Sequence, residues 1–327
     1  MTTITVAIPT FNGAGLLEQT LAAIRGQRLE PPLEVELLVC DSGSRDGSVT
    51  IARRYGADVV EIAPAEFSHG ATRNLLMERS SGDHVAFLTQ DSVPATERWL
   101  AALLSGFSLA ADVALTFGPY LPRPGASPMV ARDLDDFFRL FASDGAPRVD
   151  RLAPEERRLP SLALLGPRGF FTDANGCVAR AAWESVPFRA TPYAEDHVLA
   201  HDMLRAGYAK AYVPRAAVVH SHDYSTWGWL RRSFDESRAL REVYGYAPPL
   251  DPRWFASQVR GRVGADWRSA RAANPAALVL LARSLTHHLA RTTGSILGAR
   301  ADRFPDPVVR TLSLEGRGRD GDAGTAC

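Results

Sequence analysis

Short β-rich runs alternating with helical patterns over the first 120 residues predict an α/β protein: a mostly parallel central sheet flanked by helices, with a helical C-terminal extension. Three observations carry this reading. The strand-like runs are almost continuously apolar, as strands covered on both faces are. Each is followed by a helical stretch long enough to return the chain for a parallel neighbour. Beyond about residue 224 the apolar spacing is helical and stays so.

In chain order, strands are expected at residues 4–8, 34–40, 58–62 and 84–88, and helices at about 14–25, 46–55, 71–79 and 96–107. Residues 121–168 are rich in Pro, Arg and Asp around a helical pattern near 133–141 and read as a long irregular crossing segment. Strand and helix patterns return over 171–224, with a helix at 195–206 and a strand at 216–220. The expected organisation is therefore an α/β half at residues 1–120, a second half of the same domain at 121–245, a helical extension at 246–310 and a disordered tail at 311–327. Gly316, Gly318 and Gly321 in that tail have GxGxxG spacing, but they follow no strand and open no helix, so they are no dinucleotide fingerprint.

The composition narrows the function classes. With 46% hydrophobic and 23% charged residues, the 327-residue chain can bury a sizeable core. Lys plus Arg (37) equals Asp plus Glu (37), so no global field favours nucleic acid, and an anionic ligand must be held by local groups. Cys40, Cys177 and Cys327 are odd in number and far apart, which points to neither a disulfide framework nor a zinc ribbon and fits a reducing cytoplasm. The N-terminus leads directly into a strand, without the pattern of a signal peptide. The apolar stretch 276–297 carries Arg283, His287, His288 and Arg291 and reads as an amphipathic helix, covering the core or resting on a membrane surface.

In a parallel sheet, ligands bind beyond the carboxyl ends of the strands, so the residues after each strand are the candidates. After the first strand come Pro9, Thr10, Phe11, Asn12 and Gly13, either a nucleotide-binding turn or an ordinary strand-to-helix connection. The second strand ends at Asp41, Ser42, Gly43 and Ser44; Asp41 can accept from the N3–H of a pyrimidine, while Asp46 suits a helix cap. In FSHGATRN, Arg73 falls in the first turn of a helix, where guanidinium and dipole together suit a diphosphate; a solvated surface arginine is the alternative, and His69 is structural unless context says otherwise. The fourth strand ends at Thr89, Gln90, Asp91 and Ser92, where Asp91 could hold a divalent cation or start a turn before Pro94. Glu195 and Asp196 open a helix as an acidic first turn or a catalytic pair, and His220 and His222 follow a strand.

Taken in this order, these loops resemble the family 2 glycosyltransferases over about residues 3–241, and the strings FSHGATRN, FLTQDSVP, YAEDHVLAHDMLRAGYAKAYVP and VVHSHDYS are similar to its rhamnosyltransferase branch. The resemblance implies a GT-A fold for nucleotide-diphospho-sugars and inverting transfer of a sugar, L-rhamnose from dTDP-rhamnose, to an acceptor hydroxyl in polysaccharide or glycoconjugate synthesis. Carried over by position, it implies that Pro9, Thr10, Asn12, Asp41 and Ser44 hold the nucleoside, that Arg73 meets the diphosphate, and that Thr89 and Gln90 lie beside the donor. Asp91 falls on the second carboxylate of the family's DxD element, with Thr89 in place of the first. His220, or else His222, would complete a Mg²⁺ or Mn²⁺ site, and Asp196 falls on the catalytic base with Glu195 beside it. The implied partners are a nucleotide-sugar donor and a glycan, lipid-linked or small-molecule acceptor, with peripheral membrane association open and no nucleic acid. A nucleotide-sugar-binding regulator without transfer activity is an alternative motivated by Thr89. A nucleotidylyltransferase is another, although PTFNGAG lacks the basic residue a triphosphate would favour.

Overall fold

The computed structural model describes residues 2–30, 33–142, 144–191, 193–271 and 277–316. Its strands are β1 (Thr2–Thr10), β2 (Leu33–Asp41), β3 (Asp58–Glu61), β4 (His84–Leu88), β5 (Val93–Pro94), β6 (Val113–Phe117), β7 (Tyr120–Leu121), β8 (Arg148–Asp150), β9 (Asn175–Ala179), β10 (Ala209–Tyr212) and β11 (Val218–Val219). The helices are α1 (Ala14–Arg25), α2 (Ser48–Arg54), α3 (His69–Arg79), α4 (Trp99–Ser105), α5 (Pro128–Arg139), α6 (Arg180–Ser185), α7 (Glu195–Ala206), α8 (Thr226–Tyr244), α9 (Pro252–Arg271), α10 (Ala277–Gly298) and α11 (Asp306–Leu312). Two compact units result, one of Met1–Arg123 with Leu134–Ser221, the other of Pro124–Asp133 with His222–Cys327.

The first unit holds an eight-stranded sheet in the order β3-β2-β1-β4-β9-β6-β10-β8. The β3-β2-β1-β4 half is parallel throughout, β9 runs antiparallel between β4 and β6, and β8 closes the far edge antiparallel to β10. Alternate side chains of β1 explain why the run reads as continuously apolar. Ile4, Val6 and Ile8 pack with Leu17 and Leu21 of α1 and Trp99 of α4, whereas Ala7 faces the cluster of Leu76, Met77, Phe87 and Phe117. Lys210 is fully buried in this sheet, where its ammonium donates to Asp150 at 2.9 Å and lies 5.1 Å from the centre of the Phe117 ring. Burial, opposed by Asp150, pulls its pKa down to about 8.

A second, three-stranded sheet pairs β11 antiparallel to β5 and parallel to β7. The expected strand at 216–220 proves to be the two residues of β11, long enough to bring three separate chain segments to one edge.

In the second unit α8 and α10 meet at Gly294 and Gly298, one turn apart, where a Cβ would strike the Leu230 and Phe234 carbonyls. Buried Asp266 of α9 accepts from Arg132, Ser284 and His288, tying together the segment 124–133, α9 and α10. Burial would raise this carboxyl, yet those hydrogen bonds bring it down to about 2. The chain stays ordered further than the expected tail allows: α11 runs to Leu312, and buried Ser313 accepts from Arg231 of α8 through its carbonyl. The rest of that tail, 317–327, with Cys327, lies outside the described residues. Among the described residues no helix is long and apolar enough to cross a membrane.

Candidate active site

The carboxyl ends of β1 and β2 lie side by side, with Thr10 opposite Asp41 in the register. Between them the chain is locked by side-chain hydrogen bonds. Ser44 Oγ accepts from Asn12 N at 2.8 Å, Asn12 Oδ1 accepts from Arg45 N at 2.9 Å, and Asp46 accepts from Ala14 N at 2.9 Å. Asp46 therefore bonds forward to Ser48 at the start of α2 and also across to α1. Asn12 adopts a φ of 47°, left-handed for a residue with a side chain, and its local hydrogen bonds hold it there. Gln90 is a clip: its side-chain oxygen accepts from Phe11 N at 2.9 Å and its amide donates back to Phe11 O at 3.1 Å. Gly13 lies close beside it, and a Cβ there would force that side chain to shift.

Asp41 is buried, and only one of its oxygens is committed within the protein: Oδ1 accepts from Gly43 N and Ser44 N, both at 2.9 Å. Oδ2 and the neighbouring Thr10 hydroxyl are buried without a hydrogen-bond partner. Two adjacent uncommitted oxygens at strand ends cost stability unless a ligand donates to them, and the edge of a nucleobase can. Asp41→Asn preserves the acceptor for the turn but replaces the free acceptor by a donor. It is expected to weaken binding of a pyrimidine nucleoside diphosphate about ten- to a hundred-fold, measured by isothermal titration, with the free nucleoside losing as much.

The second cluster surrounds Arg73. The α3 N-terminus is capped by Ser68, whose hydroxyl accepts from Ala71 N at 3.2 Å, and Arg73 one turn on points inward and is 3% exposed. Its guanidinium forks onto Asp173, with Nη2 donating at 2.8 Å, and Nη1 lies 2.9 Å from Glu195. Arg73 is thus not a solvated surface arginine: two carboxylates engage its buried guanidinium. His69 Nδ1 lies 3.9 Å from the same Glu195 oxygen. Glu195 is aimed inward by Ala194, whose φ of 58° and ψ of 36° put a non-glycine residue in the left-handed region at the α7 N-cap.

Asp196 follows, half-buried, accepting from His197 N at 2.8 Å. Burial would raise Glu195, but Arg73 first and His69 next bring it down to about 2. Burial pushes Asp173 well up against the pull of Arg73, and it lifts Asp196 too, with His197 opposing and the Glu195 charge adding. One carboxylate is thus held ionised next to one with enhanced basicity.

The third cluster is built by the small sheet. The antiparallel register Val219↔Val93 brings His220, just after β11, to the residues just before β5, and His220 Nδ1 lies 3.5 Å from Asp91 Oδ2. Arg123, two residues beyond β7, donates through Nη2 to Asp91 Oδ2 at 2.9 Å and to the Asp91 carbonyl at 2.7 Å. His222, two residues after His220 along the chain, is the first residue of the second unit, where its ring stacks on Tyr224. A carboxylate oxygen and an imidazole nitrogen 3.5 Å apart fit two neighbouring positions around one ion, whose bonds are about 2.1 Å. Arg123 marks the demand for positive charge at Asp91. Thr89 contributes no charge; its hydroxyl is 2.6 Å from that of Ser92, within the turn.

Asp173 and Arg123 went unread in the sequence. Asp173 lies in FTDAN, one hundred residues from Arg73. Arg123 sits in a Pro-rich run that reads as crossing loop. Only the pairing of β5, β7 and β11 assigns it to Asp91.

The model of the family described as Glycosyl transferase family 2 matches residues 5–123. The O-antigen chain rhamnosyltransferase WbaN of Salmonella anatum is 30% identical over 239 residues, which cover 72% of this chain and 71% of that protein. The chain is a family 2 glycosyltransferase. It falls in the rhamnosyltransferase branch, as a second relative also indicates: the O-antigen chain rhamnosyltransferase RfbN of Salmonella typhimurium, 30% identical over 71% of this chain and 70% of its own length. Among solved structures, this glycosyltransferase resembles the mannosyltransferase PcManGT of Pyrobaculum calidifontis in complex with GDP-Man and Mn²⁺, with a TM-score of 0.57 at 21% identity over 92% of this chain and 86% of that one. TarS residues 1–349 of S. aureus, in complex with UDP-GlcNAc, has a TM-score of 0.51 at 15% identity over 96% and 84% of the two chains. The fold is thus of the GT-A type.

Proposed function

We propose that this glycosyltransferase moves L-rhamnose from dTDP-rhamnose to an acceptor hydroxyl, with inversion, in cytoplasmic assembly of a polysaccharide or glycoconjugate. The observation that carries the donor class is the pair of uncommitted buried oxygens on Thr10 and Asp41 at the nucleotide edge of the sheet. The sugar is supported by the likeness to the two Salmonella rhamnosyltransferases.

In this reading Pro9, Thr10, Asn12, Asp41 and Ser44 frame the nucleoside, and Gln90 and Thr89 act from behind it by fixing the turn. Asp91 and His220 hold a divalent cation. A bound cation supplies Lewis-acid neutralisation of the departing diphosphate. A mixed oxygen and nitrogen donor set suits Mn²⁺ better than Mg²⁺. We assign diphosphate contact to Arg123 in addition: it is part-exposed and already at Asp91, whereas Arg73 is buried among carboxylates. Asp196 takes the proton from the acceptor hydroxyl as the new bond forms, and Glu195 with Arg73 fixes its place.

Asp91→Asn is expected to raise the Mn²⁺ concentration for half-maximal activity at least about ten-fold; an unchanged metal titration argues against the site. The function itself is tested with a panel of nucleotide sugars and cell-envelope acceptors, scoring nucleoside-diphosphate release. The expected result is release from dTDP-rhamnose that depends on acceptor. Tight donor binding without release from any sugar would favour the regulatory alternative, which the uncharged Thr89 motivates.

A further inference from the structure

The second unit carries an exposed apolar groove between two helices. An open groove of about 630 Å³ runs between α9 and α10, walled by Phe255, Val259, Val263, Leu281, Leu285 and Leu289. Leu285 and Leu289 are 44% and 38% exposed, two leucines one turn apart left facing water. Arg260 is also in the wall, and the Arg268 guanidinium comes within ordinary contact distance of where a Cβ on Gly264, another wall residue, would lie. Arg253, Arg260 and Arg268 are exposed and follow one another at seven- and eight-residue spacing, hence along one side of α9.

The charge of this face is one-signed. Residues 252–298 contain seven arginines and a single acid, Asp266, although the chain as a whole has equal numbers of basic and acidic residues, 37 of each. That acid is buried and bonded to Arg132, Ser284 and His288. Among the described residues of α9 and α10 the exposed charged side chains are therefore all arginines, alongside an apolar groove.

Three occupants differ in chemistry. The chain's own residues 317–327 include no large apolar side chain to fill the groove. A second copy docking the same face in two-fold fashion would set arginine against arginine. An anionic bilayer offers acyl chains to the leucines and phosphates to the arginines at once. We propose that the α9–α10 face is a seat for an anionic phospholipid surface, with Leu285 and Leu289 entering the acyl boundary and Arg253, Arg260 and Arg268 engaging headgroup phosphates. The proposal does not depend on the sugar or on transfer, because its test needs no donor.

The full chain is sedimented with vesicles of phosphatidylcholine alone and of phosphatidylcholine mixed with phosphatidylglycerol. The expected result is partition into the anionic vesicles only, weakening as salt is raised. Arg260→Glu with Arg268→Glu should lower that partition about five-fold or more per arginine, and Leu285→Ser with Leu289→Ser should lower it without changing the salt dependence. These side chains are at the surface, so circular dichroism and the thermal unfolding midpoint of both variants should match the parent. Equal partition into both vesicle types, partition into neither, or unchanged partition of both variants would overturn the proposal. So would sedimentation equilibrium showing a dimer that the leucine substitutions abolish, since that would assign the groove to a second copy.

Discussion

Asp196→Asn is expected to lower transfer by about 10²–10⁴-fold while dTDP affinity stays within a factor of about two, because it removes only the proposed proton acceptor. The side chain keeps its shape, and its acceptor oxygen can still take the His197 N–H. In the parent, burial lifts the Asp196 carboxyl above the ordinary range, with Glu195 adding and His197 opposing. The base works ionised, so activity should fall as pH drops through that raised pKa, at a higher pH than an exposed aspartate would give. A pH profile of turnover alongside dTDP titration checks both points. Glu195→Gln is the control. Glu195 is already held ionised at about 2 and is a weak proton acceptor, so its loss should act through position; near-normal transfer by Asp196→Asn with loss in Glu195→Gln would reverse the two roles.

The largest expected stability change is that of Arg73→Met. The substitution leaves Asp173 and Glu195 buried without their cation, a situation that costs about 3–5 kcal/mol when one partner of a buried pair is removed. The sign of the pH dependence is a second check. In the parent, the depressed Glu195 contributes stability above its unfolded pKa, which is lost as pH falls through about 2. Without Arg73 the same carboxyl is raised by burial, so the variant should gain more stability on mild acidification than the parent, in which Glu195 stays depressed. Denaturant midpoints at neutral and mildly acidic pH decide it. A variant that keeps parental stability but loses dTDP affinity relative to thymidine would return Arg73 to the diphosphate.

Much of the fold was legible because its decisive features are local. The apolar runs of β1, β2 and β4 and the helix starts at α1, α3 and α7 are set by neighbours within a few residues. The strand ends that carry Thr10, Asp41 and Asp91 could thus be located in the sequence. What was not legible depends on contacts between distant segments. β9 is inserted antiparallel between β4 and β6, a placement no periodicity records. β5, β7 and β11 have two residues each, too short for any pattern, yet they assemble Asp91, Arg123 and His220. Arg73 has the sequence of a phosphate-binding helix start. Its burial follows from Asp173, on the far side of the crossing segment, and from the left-handed Ala194 that turns Glu195 toward it. Likewise, the small polar character of the last residues concealed that Ser313 is anchored by Arg231.

Single-step transfer of a sugar from a nucleotide-diphosphate donor is tested most directly by the structure of the product. Incubation with dTDP-rhamnose, Mn²⁺ and an acceptor glycan, followed by mass spectrometry and NMR of the purified product, should give the acceptor carrying one added deoxyhexosyl residue, with anomeric configuration opposite to that of the donor. Retained configuration, or a nucleotide sugar formed from sugar phosphate and dTTP in place of a glycoside, would contradict it.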